Sequence, residues 1–361
     1  MKKVRPIAFY LPQFYPTPEN DEWWSPGFTE WTNVARSRAL FKGHYQPRIP
    51  GELSFYDLRM PSVRIKQAEL ARLAGIEGFC YWHYWFGNGR RLLDLVFREV
   101  VESGAPDFPF CLCWANHSWY KKTWDPTKPN TLLIEQTYPG KEDFILHFNE
   151  MLPAFKDNRY MKTDDGRLIF GVFAPLDIPN VQLFVDTWNQ LAIDNGLKGF
   201  YFFALCQYED WMKRLKALPY DAIVFDTMPL LYWKHHLTLR GKIMSRLAKM
   251  KLTTYRIDYM YYVDESVHFF NDHEDYTPCI IPDFDHSPRS GGCGIILQGS
   301  TPQKFAAFAK KMKQYVESHP RTERLIFIKA WNEWGEGNYL EPDMRWGRAY
   351  IEELGKVFNQ E

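Results

Sequence analysis

Nowhere in this sequence do lysine and arginine run long enough to track a phosphate backbone. The 44 basic residues balance 44 acidic ones, so the formal net charge is zero. A sustained positive field is missing, and nucleic acid is not an expected partner. Long hydrophobic runs are missing too: no window approaches the roughly 20 apolar residues that span a bilayer. The basic start Met1-Lys2-Lys3-Val4-Arg5-Pro6 leads into an apolar run that Pro12 cuts short, with no small-residue cleavage site after it. No secretory signal and no integral membrane segment are therefore expected, and the predicted address is cytoplasmic.

Metal and phosphate signatures are equally sparse. Cys111-x-Cys113 is too short for a zinc knuckle and lacks a second pair. Cys80, Cys111, Cys113, Cys206 and Cys279 fall in or beside apolar runs and Cys293 lies in a glycine-rich stretch, which reads as free thiols in a reducing compartment. After the first apolar run stands Tyr10-Leu11-Pro12-Gln13-Phe14-Tyr15-Pro16 instead of a Gly-x-Gly-x-x-Gly turn, so a dinucleotide site has no loop to form on. No Walker-type loop occurs. Asp283-Phe284-Asp285 matches the Asp-x-Asp pattern of metal-dependent sugar transferases, but it follows the seventh strand and not an early nucleotide-binding half. The expectation is no metal and no cofactor.

What the chain has in excess is aromatic rings, at 17% of residues with 14 tryptophans. Most must be core, yet many tryptophans and tyrosines fall at strand ends beside polar residues, where flat rings can meet a sugar's C–H face. The strand-like runs are Pro6 to Leu11, Gly78 to Tyr84, Phe108 to Trp114, Leu168 to Ala174, Gly199 to Leu205, Ala222 to Asp226, Cys279 to Pro282 and Leu325 to Ala330. Each is apolar throughout instead of alternating, as in parallel strands covered on both faces. Helical stripes lie between them, one through Val181, Phe184, Val185 and Trp188 and another through Phe305, Phe308, Ala309 and Met312. Val63 to Ala74 and Leu92 to Val101 are further helices, with Gly75 and Gly104 as stops and Thr301-Pro302 as a start. Eight strands with intervening helices predict an α/β fold, a single (β/α)8 barrel over residues 1–361 with long loop insertions. The insertions are Pro12 to Pro61 and Leu230 to Asp258. Within the second, the basic stretch 234–251 reads plainly as a solvated helix and more sharply as a peripheral membrane contact.

Barrel enzymes build their sites at the C-terminal strand ends. Those ends carry Tyr10, Gln13, Glu30 and Trp31 after strand one, then Trp82, His83, Tyr84 and Trp85 after strand two, and Trp114 and Asn116 after strand three. Asp283, His286 and Arg289 follow strand seven. Strand eight runs into Trp331-Asn332-Glu333-Trp334-Gly335-Glu336-Gly337. Two glutamates three apart can address one anomeric centre, and neighbouring carboxylates resist ionising together, which keeps one protonated as an acid. Oligo- or polysaccharide is the expected partner.

The motifs Tyr10-Leu11-Pro12-Gln13-Phe14, Phe28-Thr29-Glu30-Trp31, Tyr81-Trp82-His83-Tyr84-Trp85, Trp114-Ala115-Asn116 and Trp331 to Gly337 together resemble the WbsX family, over nearly the whole chain. Those proteins belong to lipopolysaccharide, O-antigen and capsule gene clusters and are labelled glycosyltransferases. The family is in turn similar to glycoside hydrolase family 99, retaining endo-α-mannosidases and mannanases on a (β/α)8 barrel. The resemblance implies Glu336 as general acid/base. It implies Glu333 as the base that takes the proton of a sugar 2-hydroxyl, giving a 1,2-anhydro intermediate. Substrate contacts are expected from Tyr10, Gln13, Glu30, Trp31, Trp82, His83, Tyr84, Trp114, Asn116, Asp283, His286, Arg289, Trp331, Asn332 and Trp334. A retaining endo-glycosidase or transglycosylase is the first reading, a transferase using an activated sugar donor the second, and an inactive glycan-binding barrel the third.

Overall fold

Each of the eight apolar runs forms a strand of one closed, all-parallel barrel. The strands are β1 (Arg5–Tyr10), β2 (Gly78–His83), β3 (Phe110–Trp114), β4 (Leu168–Val172), β5 (Phe200–Cys206), β6 (Ala222–Asp226), β7 (Thr277–Ile280) and β8 (Leu325–Ile328). They sit in sequence order around the barrel, and β1 closes it by pairing with both β2 and β8. Nearly every strand residue is buried, because side chains alternate between the barrel interior and the covering helices. The computed structural model describes residues 3–123, 128–250, 252–319 and 323–359. Met1, Lys2 and Lys251, used in the sequence reading, lie outside them.

The helices that follow each strand in turn are α1 (Pro61–Leu73), α2 (Leu95–Ser103), α3 (Lys141–Phe155), α4 (Val181–Asp194), α5 (Glu209–Leu215), α6 (Tyr259–Asp272), α7 (Pro302–Ser318) and α8 (Ala349–Phe358). The expected punctuation holds. Gly104 caps α2 at φ 69°, and the Thr301 hydroxyl accepts from the Lys304 amide at the start of α7. The run expected from Cys279 begins two residues earlier, at Thr277-Pro278, which the proline disguised.

Inside the barrel a chain of rings runs toward the C-terminal mouth. Phe203 meets Phe327 at 4.6 Å between ring centroids, Phe327 meets Phe9 at 5.4 Å, and Phe9 stacks on Trp82 at 4.5 Å. Gly171 makes room for this column, since a Cβ there would run into the Phe203 ring and the Cys113 sulfur.

Three insertions cover the mouth. The β1–α1 loop carries the short helices Pro18–Trp23 and Glu30–Arg36, and a hairpin, Trp119–Lys121 with Thr131–Ile134, follows β3. After β6 the basic stretch departs from expectation: it is two helices, Thr227–Leu237 and Leu239–Lys249. Thr238 is extended between them, and its hydroxyl caps the second helix by accepting from the Gly241 amide at 3.0 Å. Gly241 is required because a Cβ there would collide with the His235 carbonyl. Among the described residues, no helix is long and apolar enough to cross a membrane.

Candidate functional site

The glutamate pair sits on a tight hairpin immediately beyond β8. Asn332–Glu333 pairs antiparallel with Asn338–Tyr339, a 3-10 turn spans Trp334–Glu336, and Gly337 closes it at φ 58°. Asn332 fixes the hairpin to the β1 end: its side-chain oxygen accepts from the Leu11 amide at 2.8 Å while its amide donates to the Leu11 carbonyl at 3.0 Å. Gly335 admits the neighbouring loop, since a Cβ there would collide with the Glu30 carboxylate.

Charged groups from four loops converge on this hairpin. Arg289 donates to Glu336 at 2.6 Å and to Glu30 at 3.2 Å. Lys329, the residue directly after β8, donates to Asp226 at the end of β6 over 3.3 Å. The Trp82 indole donates to Glu333 at 2.8 Å. Glu30, Asp226, Glu333 and Glu336 thus share two cations. Burial and the closeness of the two carboxylates favour a single proton on the glutamate pair. Burial first, and then the neighbouring Glu336 charge, push Glu333 up to about 7. Burial opposes ionisation of Glu336 as well, but Arg289 and Lys329 outweigh it and hold Glu336 below the usual carboxylate range. The same carboxylates keep the half-buried Lys329 and Arg289 charged against desolvation.

Around the pair stand Trp82, Tyr84, Phe173 and His286. Phe173 meets Trp82 edge-on at 5.6 Å. Tyr84 meets Trp119 edge-on at 5.0 Å, and burial first, then the Glu333 charge, raise its phenol. His286 bonds Ser290 at 2.8 Å, and burial lowers it to about 4 despite the nearby Glu336. Glu336 and Arg289 stay partly open to solvent, whereas Glu333 lies deeper.

Of the residues named from the sequence, Glu333, Glu336, Glu30, Trp82, Tyr84, His286 and Arg289 come together. Others do not. Tyr10 is buried against α1, its hydroxyl donating to Gln67 at 2.7 Å. His83 pairs with His147 of α3 at 2.7 Å, beside a cavity of about 270 Å³ behind β2. Trp114 donates to the Trp85 carbonyl, and Asn116 ties its own loop to Ala174 and Tyr138. Trp331 packs on Phe79, Trp334 donates to Glu341, and Trp31 donates to the Tyr56 carbonyl while bracing Trp334. Gln13 is half-buried on the loop after β1. Asp283 pairs with Arg48 at 2.9 Å, and Asp285 accepts from His44 and Gln46 at 2.8 and 2.7 Å. The Asp-x-Asp motif therefore stitches two loops together.

Two residues escaped the sequence reading. Lys329 is a lone cation in the otherwise apolar run Leu325 to Ala330, and a lysine drawn largely out of water there calls for an anionic partner. Glu341 is a second buried carboxyl, bonded by Trp334, Gln67 and Tyr56.

Comparison with known proteins agrees with this architecture. A family model described as glycosyltransferase WbsX matches residues 6–354. The protein WxcX of Xanthomonas campestris pv. campestris strain B100, named as uncharacterized, is 34% identical over 96% of this chain. The chain spans about half of that relative, 48% of its length. Among solved structures, a glycoside hydrolase-like protein superposes with a TM-score of 0.62 at 13% identity, covering 99% of this chain and 94% of its own. The GH99 endo-alpha-mannosidase from Bacteroides thetaiotaomicron superposes with a TM-score of 0.55 at 14% identity, covering 98% and 96%. At such identities the likeness speaks for the fold.

Proposed function

The chain belongs to the glycosyltransferase WbsX family, and on that premise we propose that its barrel is a carbohydrate-active enzyme that cleaves or transfers glycosidic bonds of a bacterial surface polysaccharide with retention. The observation that carries this reading is the pair Glu333 and Glu336 on one hairpin, with Trp82 donating to one and Arg289 to the other.

In the proposed first step Glu333 takes the proton of the sugar 2-hydroxyl. That oxygen attacks the anomeric carbon, and Glu336 gives its proton to the departing oxygen. A 1,2-anhydro sugar forms and the leaving alcohol departs neutral. In the second step Glu336 deprotonates water, or an acceptor hydroxyl, as it attacks the anomeric carbon, and Glu333 returns its proton to the 2-oxygen. The first step moves one proton, in effect, from Glu336 to Glu333. Arg289 lies against Glu336 and so favours that second distribution from the start. The site's cations thus favour the charge that Glu336 develops while it donates, which is where stabilisation speeds a reaction. The test is incubation with surface polysaccharide of the producing bacterium. New reducing ends and a product anomer that matches the substrate, by NMR, are expected. An inverted anomer would sink the retaining mechanism.

The family's own description favours a second reading, transfer from an activated sugar donor. It requires donor binding, and calorimetry against a panel of nucleotide sugars separates the two.

A further inference from the structure

The two helices inserted after β6 carry an exposed apolar face that the glycosidic chemistry does not use. Leu239, Ile243, Leu247 and Met250 are all exposed, and Leu239 keeps 77% of its surface in water. At about 3.6 residues per turn these four fall on one side of the second helix. Arg240 lies along one border of that stripe, and Lys242, Arg246 and Lys249 lie along the other. The opposite side faces the protein through Gly241, Met244 and Ala248. The preceding helix adds Trp233 and Leu237, one turn apart and both exposed, with Lys234 beside them.

The platform is held in place. His235 bonds the Tyr255 hydroxyl at 2.8 Å, and strand Tyr255–Asp258 pairs with Ile295–Gln298 from the β7–α7 connection. The second helix also packs on the turn Gly291–Cys293, which directly follows the segment bearing Arg289. The apolar face therefore lies beside the barrel mouth.

Charge selects the occupant. From Thr227 to Ile257 the sequence has no aspartate or glutamate, in a chain whose overall charge is zero. An apolar stripe bordered by cations, with a nearby tryptophan, suits a surface that offers acyl chains beneath anionic headgroups. A second copy of the chain suits it poorly, because a two-fold contact would set these cations against each other with no carboxylate between them. We propose that helices Thr227–Leu237 and Leu239–Lys249 dock the protein on an anionic phospholipid bilayer, with the barrel mouth held near the headgroups.

The test is flotation of the full chain with vesicles of phosphatidylcholine alone or of equal parts phosphatidylcholine and phosphatidylglycerol. Binding to the anionic vesicles is expected to exceed binding to the neutral ones by about tenfold or more and to weaken in high salt. The double substitution Leu239→Ser/Ile243→Ser should lower it by a similar factor with the melting temperature unchanged, as both side chains are exposed. Lys242→Glu/Arg246→Glu should abolish the anionic preference. The proposal is overturned if the wild-type chain stays unbound, if neutral vesicles bind equally well, or if both variants float like wild type. It is also overturned if sedimentation velocity finds a dimer that Leu239→Ser/Ile243→Ser dissolves while vesicles go unbound.

Discussion

Glu333 stands on the hairpin and Glu341 two residues past its end, both buried, and burial pushes both up to about 7. Their surroundings differ completely. Glu341 accepts from the Trp334 indole at 2.6 Å, the Gln67 amide at 2.6 Å and the Tyr56 hydroxyl at 2.9 Å. Three neutral donors fill its coordination, and no ring face or cation is left for a ligand. Glu333 has one indole donor, a second carboxylate for a neighbour, and two cations nearby. A raised proton affinity alone therefore does not mark a catalytic carboxyl. What separates the two is a partner able to exchange the proton: Glu333 has a second carboxylate, Glu336, beside it that keeps contact with solvent, and Glu341 has only neutral donors.

The sharpest way to break this contrast is to neutralise each carboxyl in turn. Glu336→Gln and Glu333→Gln are each expected to lower kcat/KM on the polysaccharide by about 10²–10⁴-fold. Glycan binding measured by calorimetry should survive in both. Full turnover in Glu336→Gln would remove that residue from the proton donor's role. Glu341→Gln keeps the shape and loses only a group already bonded by neutral donors, so its activity should stay within a few-fold of wild type.

Stability should reverse the ranking. Glu341→Ala strands three donors in the core, at a cost of about 3 kcal/mol in urea unfolding. Replacing Glu333 by Gln relieves a like-charge contact and should cost less than about 1 kcal/mol. The pH dependence has a definite sign. A carboxyl with a raised folded-state value binds its proton more tightly folded than unfolded. Stability is lost as pH climbs from the ordinary carboxylate range through about 7. Glu341→Gln should flatten that decline, and an unchanged slope would mean that Glu341 does not titrate there.

Much of this was legible in advance, and the gaps have physical causes. All eight strands were visible because each is covered on both faces, which makes it apolar throughout. The glutamate pair was visible because it follows the last such run directly. Which side of a strand end a residue faces was harder to read, and parity decides it. Phe9 and Trp82 point into the barrel and stack, so Tyr10, Tyr81 and His83 must point out. Trp114, beside His83 in register, points out with it. Tyr10, His83 and Trp114 were thus placed at the correct end of the barrel but on the helix side of the wall. The Glu30–Arg289 pair joins loops 259 residues apart, and no local pattern announces such a contact. The corner at Thr238 hid inside a continuous basic stretch, because a threonine cap flanked by leucines keeps helical composition on both sides.

Arg289 offers the smallest effect and the finest separation of the two carboxyls. The profile of kcat/KM against pH reports the free enzyme. The competent pair carries one proton, so activity should fall as pH rises through about 7, where Glu333 loses it. On the acid side it should fall only well below the ordinary carboxylate range, where Glu336 gains a second proton against Arg289 and Lys329. Arg289→Met removes a cation that favours ionisation of both glutamates, so both limbs should move to higher pH. The acid limb should move further, by about one pH unit or ~1.4 kcal/mol, because Arg289 touches Glu336 and not Glu333. The profile narrows as a result. Arg289→Lys, which keeps the charge, should restore most of the width, whereas Glu341→Gln should leave both limbs where they were. A profile that shifts without narrowing would mean that Arg289 acts on the pair as a whole instead of through Glu336.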